Sequence, residues 1–192
     1  RLTVRQLHHQ TIHLEKGWNI FSSWLVPLNN KMDDVLAKLQ QENLLIAVHD
    51  EPGNTYEKEG SEWVNNIGEF TKSEGYKVKV QSPVDMEISG YPVNLPLNIP
   101  LTAGWNIISF PYNSTVDAIN VLQPLIDDGI LEKVQDEQGS SIENWGSSMG
   151  WVNGIGNFEA GEGYLVKVSQ NGVLPVLENY EKSAQSMANN LQ

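Results

Sequence analysis

Six residues, Gly17-Trp18-Asn19-Ile20-Phe21-Ser22, return almost unchanged as Gly104-Trp105-Asn106-Ile107-Ile108-Ser109. Two further phrases return in the same order. Trp63-Val64-Asn65-Asn66-Ile67-Gly68-Glu69-Phe70 is echoed by Trp151-Val152-Asn153-Gly154-Ile155-Gly156-Asn157-Phe158, and Glu74-Gly75-Tyr76-Lys77-Val78-Lys79-Val80 by Glu162-Gly163-Tyr164-Leu165-Val166-Lys167-Val168. The offset is 87 residues for the first pair and 88 for the other two. A nearly constant offset over such a span is the mark of internal duplication. It predicts two units of about 85 residues, each large enough for a modest core.

The pattern within each unit reads as α+β: two tandem repeats, each a small, mostly antiparallel sheet or partly open barrel with one packed helix. Trp18 to Trp24 and Trp105 to Phe110 are expected strands, rich in aromatic and β-branched residues. Asn30 is expected to cap a helix over Met32 to Gln41, with Met32, Val35, Leu36 and Leu39 on one face. In the second unit Ser114 or Thr115 is expected to cap a helix carrying Val116, Ile119, Leu122 and Ile126, ended or restarted by Pro124. Leu45 to His49 and Leu131 to Gln135 are expected strands leading into turns at Asp50-Glu51-Pro52-Gly53 and Asp136-Glu137-Gln138-Gly139. Tyr76 to Val80 alternates cleanly, with Tyr76, Val78 and Val80 on one side and Lys77 and Lys79 on the other. Asn171-Gly172 predicts a hairpin turn into Val173 to Leu177. Tyr91 to Pro100 holds three prolines and predicts a stiff, extended connection. The expected limits are 1–94 for the first module (core 11–91), 95–180 for the second and 181–192 for a polar tail.

Charge narrows the partners. Twelve Lys and Arg against 24 Asp and Glu give a net charge of -12, which repels nucleic acid and anionic membrane surfaces. The longest aliphatic run, Leu44 to Val48, is far short of a membrane span, so no membrane insertion is expected. The absence of cysteine excludes disulfides and Cys-ligated zinc. The chain begins at Arg1 without a signal-peptide pattern and reads as a piece of a longer protein.

No motif commits the chain to catalysis. Gly146-Ser147-Ser148-Met149-Gly150 fits the nucleophile-elbow spacing, but that chemistry needs a strand-turn-helix context and a later histidine, and none follows His49. His9 and His13 are spaced to chelate a metal, yet the second unit has no histidine, so a duplicated His-based site is ruled out. The repeated carboxylates Asp50/Asp136, Glu51/Glu137 and Glu74/Glu162 fall in expected turns, where Asp supports turn hydrogen bonds. A weak calcium site near Asp50 or Asp136 stays open, although the oxygen shell calcium prefers is not visible in the spacing. Asn113-Ser114-Thr115 is a formal glycosylation sequon that also reads as a helix cap. No metal or cofactor is expected, and no catalytic residue is assigned.

Aromatic residues divide into two sets. Trp18/Trp105, Trp63/Trp151, Phe70/Phe158 and Tyr76/Tyr164 are paired across the copies and are expected to serve the shared core. Trp18 and Trp105 in particular are expected to be buried equivalents, each costing about 3–5 kcal/mol on truncation. Trp24, Tyr112 and Trp145 are not shared, and they are the candidate ligand-binding residues, suited to stacking on sugar faces.

In combination, Gly-Trp-Asn-Ile-x-Ser, the Val-x-Asp-Glu-x-Gly hairpin, Trp-Val-Asn-x-Ile-Gly and Gly-Glu-Gly-Tyr-x-Val-Lys-Val resemble a tandem module of large secreted and cell-surface proteins of Bacteroidota. The likeness covers about residues 11–180. The first copy departs at Lys72-Ser73-Glu74-Gly75, where the second has Ala160-Gly161-Glu162-Gly163. The resemblance implies an extracellular or cell-surface location, neighbouring domains of a longer chain as partners, and no catalytic residues. The expected function is therefore a non-catalytic accessory module acting as spacer and interaction unit. The alternative is a carbohydrate-binding module with glycans as partners, and a hydrolase is the remotest reading.

Overall fold

The computed structural model describes residues 5–180. The expected polar tail, 181–192, lies outside the described residues. Among the described residues strand dominates, in several small antiparallel sheets, with three short helices.

The first half runs β1 (His8–Leu14), β2 (Gly17–Phe21), β3 (Leu25–Pro27), α1 (Met32–Val35), α2 (Ala37–Gln41), β4 (Leu45–His49), β5 (Thr55–Glu59), β6 (Glu62–Asn65), β7 (Tyr76–Val80) and β8 (Val84–Pro92). The second runs β9 (Leu97–Leu101), β10 (Gly104–Ser109), β11 (Val116–Asp117), α3 (Ala118–Asp127), β12 (Leu131–Gln135), β13 (Ser141–Asn144), β14 (Trp151–Asn153), β15 (Asn157–Phe158), β16 (Gly163–Val168) and β17 (Gly172–Val176). One five-stranded sheet has the order β2-β7-β4-β5-β6 and the other β10-β16-β12-β13-β14. The remaining strands form separate small sheets, β1-β8-β3, β9-β17 and β11-β15. The stiff connection expected between the halves is mostly strand: Tyr91 and Pro92 close β8, and β9 begins at Leu97.

Each half has its own apolar core. In the first, Phe21, Val48, Tyr56, Tyr76 and Val78 from the five-stranded sheet meet Ile12, Leu14, Met86 and Ile88 from β1 and β8, together with Met32, Leu36 and Leu39 from the helices. In the second, Ile108, Val134, Tyr164 and Val166 meet Ile99, Leu174 and Val176, with Val121, Leu122 and Leu125 of α3. β7 alternates buried and half-buried residues as the sequence predicts, because one face of its sheet covers the core.

Helix starts differ from expectation. Asn30 caps nothing: its side chain donates to Glu69, and Lys31 stands at the N-cap of α1 without a side-chain cap bond. The expected single helix is divided at Leu36 into α1 and α2. In the second half Asp117 takes the N-cap role, accepting from the Asn120 N–H at 3.1 Å, while Thr115 bonds Glu159 and Val116 joins β11. Pro124 lies inside α3, which continues to Asp127. The Asn120 carbonyl loses its helical partner there, but Asn120 is exposed, so water can take its place.

Asn171-Gly172 makes no hairpin. β16 and β17 belong to different sheets, and β17 pairs with β9 through Gly172 opposite Leu101. The Asn171 side chain instead accepts the Ala103 N–H, and neither residue has the positive φ that a primed turn requires.

Trp18 and Trp105 are not core residues; they are 46% and 42% exposed. Strand alternation explains the reversal. Phe21 and Ile108 face the cores, and the tryptophans point to the opposite face, Trp18 across from Lys79 and Trp105 across from Lys167. Trp105→Ala is therefore expected to cost under about 1 kcal/mol, in the range of surface changes. Urea denaturation checks this; a loss of about 3 kcal/mol would restore the core assignment.

Candidate functional site at the junction of the two halves

The duplicated phrase does its structural work through asparagine. Asn19 is buried after Gly17, and its Oδ1 accepts the Glu15 N–H at 2.7 Å while its Nδ2 donates to the carbonyls of Glu15 and Gly17. Asn106 repeats this with Thr102 and Gly104, and adds a bond to the Val166 carbonyl at 3.3 Å. Each side chain closes the turn leading into its strand, which leaves the neighbouring Trp free to face outward.

The serine that ends the phrase joins the halves. The Ser22 N–H donates to the Gly161 carbonyl at 2.8 Å and its Oγ to the Glu162 carbonyl at 2.5 Å. In return the Ser109 N–H donates to the Ser73 carbonyl at 3.3 Å and its Oγ to the Lys72 carbonyl at 2.7 Å. Isolated antiparallel bridges link Phe21 with Glu162 and Glu74 with Ile108. The contact is thus reciprocal: the end of β2 meets the segment before β16, and the end of β10 meets the segment before β7.

Glycine is needed at this seam. A Cβ at Gly75 would stand 2.6 Å from the Ile108 carbonyl oxygen, and one at Gly163 would stand 2.8 Å from Cγ2 of Ile20. Gly161, at φ +100°, also lies against β1, where a Cβ would reach Ile12 Cγ1 at 3.2 Å. Ser73, at the corresponding place, does not have a positive φ. The sequence difference between Lys72-Ser73 and Ala160-Gly161 thus coincides with different backbone conformations.

Carboxylates gather beside the seam. Glu137, in the turn after β12, accepts the Ile20 N–H from the other half at 2.5 Å. Partial burial pushes its carboxyl above the ordinary range. Glu162 is pushed up to about 7, first by burial and then by repulsion from Glu137, Asp136 and Glu159. Glu74 is shifted the same way by burial, with smaller contributions from Asp50 and Glu51. Asp50 and Asp136 serve their turns, accepting the N–H of Asn54 at 2.6 Å and of Ser140 at 2.7 Å. Among the described residues no three His, Asp or Glu side chains are grouped to hold a metal ion.

A cleft of about 310 Å³ opens beside the seam. Trp18 and His49 line it from one half, their ring centroids 4.9 Å apart, with Lys77 and Ile20. Asp136, Glu137 and Leu165 line it from the other. The Lys79 ammonium sits 5.5 Å from the Trp18 ring centroid.

The three candidate aromatics lie apart from this cleft, on different elements. Trp24 is partly buried against the first core, edge-on to His8 at 5.6 Å, and its backbone N–H donates to buried Gln10. Tyr112 is partly buried, edge-on to Tyr180, and it lines a polar cleft with Asp117 and Asn120. Trp145 is 59% exposed on the β13–β14 loop. That loop is tied by the Trp145 N–H to the Gly150 carbonyl at 2.8 Å and by the Gly150 N–H to the Gly146 carbonyl at 2.7 Å. It holds Ser147 and Ser148 between two strands, so the elbow-like spacing lacks its helix. His9 bonds Ser89, and His13 lies between Asp85 and Glu15, which raise its pKa, Asp85 the more.

Trp18, which lines this cleft, is not among the residues the sequence singles out as ligand-binding, because its repetition in both copies points equally to a core role. The usable clue was the strand period, which sets Trp18 on the face opposite Phe21. No family model, curated protein or solved structure matches the chain.

Proposed function

We propose that this chain is a non-catalytic accessory module of a larger secreted or cell-surface protein, built from two tandem repeats and serving as spacer and interaction unit. The reciprocal seam carries this reading. Ser22 and Ser109 each use both backbone and side chain to bind the opposite half, which suits a unit that holds its neighbours at a set distance. The matched phrases 87 and 88 residues apart and the like order of the five-stranded sheets support the repeat. The arrangement of reactive groups supports a non-catalytic role: His49 packs on a Trp ring, and Ser147 and Ser148 stand in a strand-flanked loop.

The spacer reading expects one rigid body. Small-angle scattering of the chain should fit a single compact shape with a radius of gyration near 16 Å, the scale of a folded chain of this length. A profile that requires a broad range of distances between the halves would remove the spacer role. Incubation with polysaccharide and peptide substrates should leave them intact, and any turnover by the purified chain would end the non-catalytic reading.

A further inference from the structure

We propose that the cleft between Trp18 and the Asp136-Glu137 turn is a binding site for a neutral saccharide. The inference rests on the reading of the chain as an interaction unit and gives that unit a ligand class.

The chemistry of the lining selects the ligand. Trp18 offers a large apolar surface that remains 46% exposed although His49 and Lys79 pack on it. An indole held in place by neighbours and open to water on its remaining surface suits the apolar face of a pyranose ring. Ile20 and Leu165 extend the apolar lining. Around it stand groups that bind hydroxyls. Asp136 and Glu137 accept hydrogen bonds, and Lys77 donates them.

Both charge signs line the same small space. A strongly anionic ligand would meet Asp136 and Glu137, and a strongly cationic one would meet Lys77. A neutral molecule rich in hydroxyls satisfies donors and acceptors together without burying a net charge. The volume lies at the lower end of ordinary ligand clefts, about 300–1,000 Å³, which matches one or two sugar rings rather than a long chain.

The cleft exists only because the halves dock. Its carboxylates come from one half and its tryptophan from the other, and the Glu137 bond to the Ile20 N–H ties the two sides together. The second half does not reproduce it. Trp105 is similarly exposed, but Gln135 and Leu165 stand where the first half has His49 and Lys77. The smaller cleft on that side is lined by Glu51, Glu74 and Ile107, and not by Trp105. Trp105 is therefore a control of similar exposure placed outside the built site.

Native affinity electrophoresis tests this with the full chain in gels containing a soluble β-glucan, a galactomannan, a xylan or the acidic polymer alginate. At least one neutral polymer should retard the protein. Trp18→Ala should weaken that retardation about tenfold, and Trp105→Ala should leave it unchanged. Because Trp18 is a surface residue, its variant should keep the parent melting temperature, which separates lost binding from lost folding. Retardation by alginate alone would overturn the neutral-ligand assignment. Retardation that survives Trp18→Ala but is lost on Trp145→Ala, Trp24→Ala or Tyr112→Ala would overturn the site. No retardation in any gel would overturn the proposal and leave the spacer reading standing. Shortened polymer recovered from the gels would instead strike the non-catalytic reading without touching the site.

Discussion

Replacing Glu162 by glutamine is expected to stabilise the protein by about 2–3 kcal/mol at pH 8 and by much less at pH 5. Glu162 sits at the seam, its backbone carbonyl accepting from Ser22 and its residue bridged to Phe21. Its carboxyl has an ordinary value of 4.5, and burial with the charges of Glu137, Asp136 and Glu159 raises it to about 7 in the folded chain. The folded state therefore holds this proton more tightly than the unfolded state. The stabilisation from the bound proton is fully present below 4.5 and is lost as pH rises through 7. Above that point the folded protein carries a charge that its surroundings disfavour. Glutamine keeps the size and removes the charge, so variant and parent should differ most at high pH. Urea denaturation at pH 5 and pH 8 measures the gap. A gap of the same size at both pH values would show that protonation of Glu162 is not its source. Glu74 and Glu137 are shifted in the same direction, so the parent itself should gain stability as the pH falls from 8 towards 5.

How much of this could be read from the sequence depends on the distance over which each residue finds its partner. Tyr76 to Val80 was legible because a strand with one buried face must alternate. The Asp50 and Asp136 turns were legible because each side chain binds a backbone N–H four residues ahead. Asn171-Gly172 misled because its partners are not local. Asn171 serves the Ala103 N–H, 68 residues away, and Gly172 packs where a Cβ would meet Ile130 Cδ1 at 2.4 Å. Asn30 misled in the same way, through its bond to Glu69.

The seam was the least legible feature. Ile20 lies on the strand face that Trp18 shares, and local alternation marks it as outward-facing. It is nevertheless 4% exposed, because the Glu137 and Gly163 segments from the other half cover it. Nothing within the Gly-Trp-Asn-Ile phrase separates the isoleucine that becomes covered from the tryptophan two residues earlier that remains open. Repetition added to the difficulty. A residue that recurs in both copies can be held by the core, by the seam or by the turn, and Tyr76/Tyr164, Ser22/Ser109 and Asn19/Asn106 supply one pair of each kind.

Asn106→Ala is expected to destabilise the protein by about 1–3 kcal/mol, more than Trp105→Ala beside it. The size of the side chains would suggest the opposite order, but their surroundings reverse it. Asn106 is 5% exposed, and its amide meets four backbone groups: the Thr102 N–H and the carbonyls of Thr102, Gly104 and Val166. Removing it takes a buried bond from the Val166 carbonyl, while the Thr102 and Gly104 groups, in an exposed to half-buried turn, can turn to water, and a buried group left unsatisfied costs about 1–3 kcal/mol. The bonds also hold the β9–β10 turn, which aligns Ile99 and Leu101 with the second core. Asn106→Asp provides the discriminating comparison. Aspartate keeps the acceptor facing the Thr102 N–H, loses the donors and brings a charge, so at pH 7 it should cost at least as much as alanine. Asn19→Ala should show the same behaviour through Glu15 and Gly17, with one fewer backbone partner. Urea denaturation of the Asn106 variants and Trp105→Ala on one scale decides the matter. If Asn106→Ala proved no more costly than Trp105→Ala, the turn would stand without its amide, and the repeated asparagine would need another explanation.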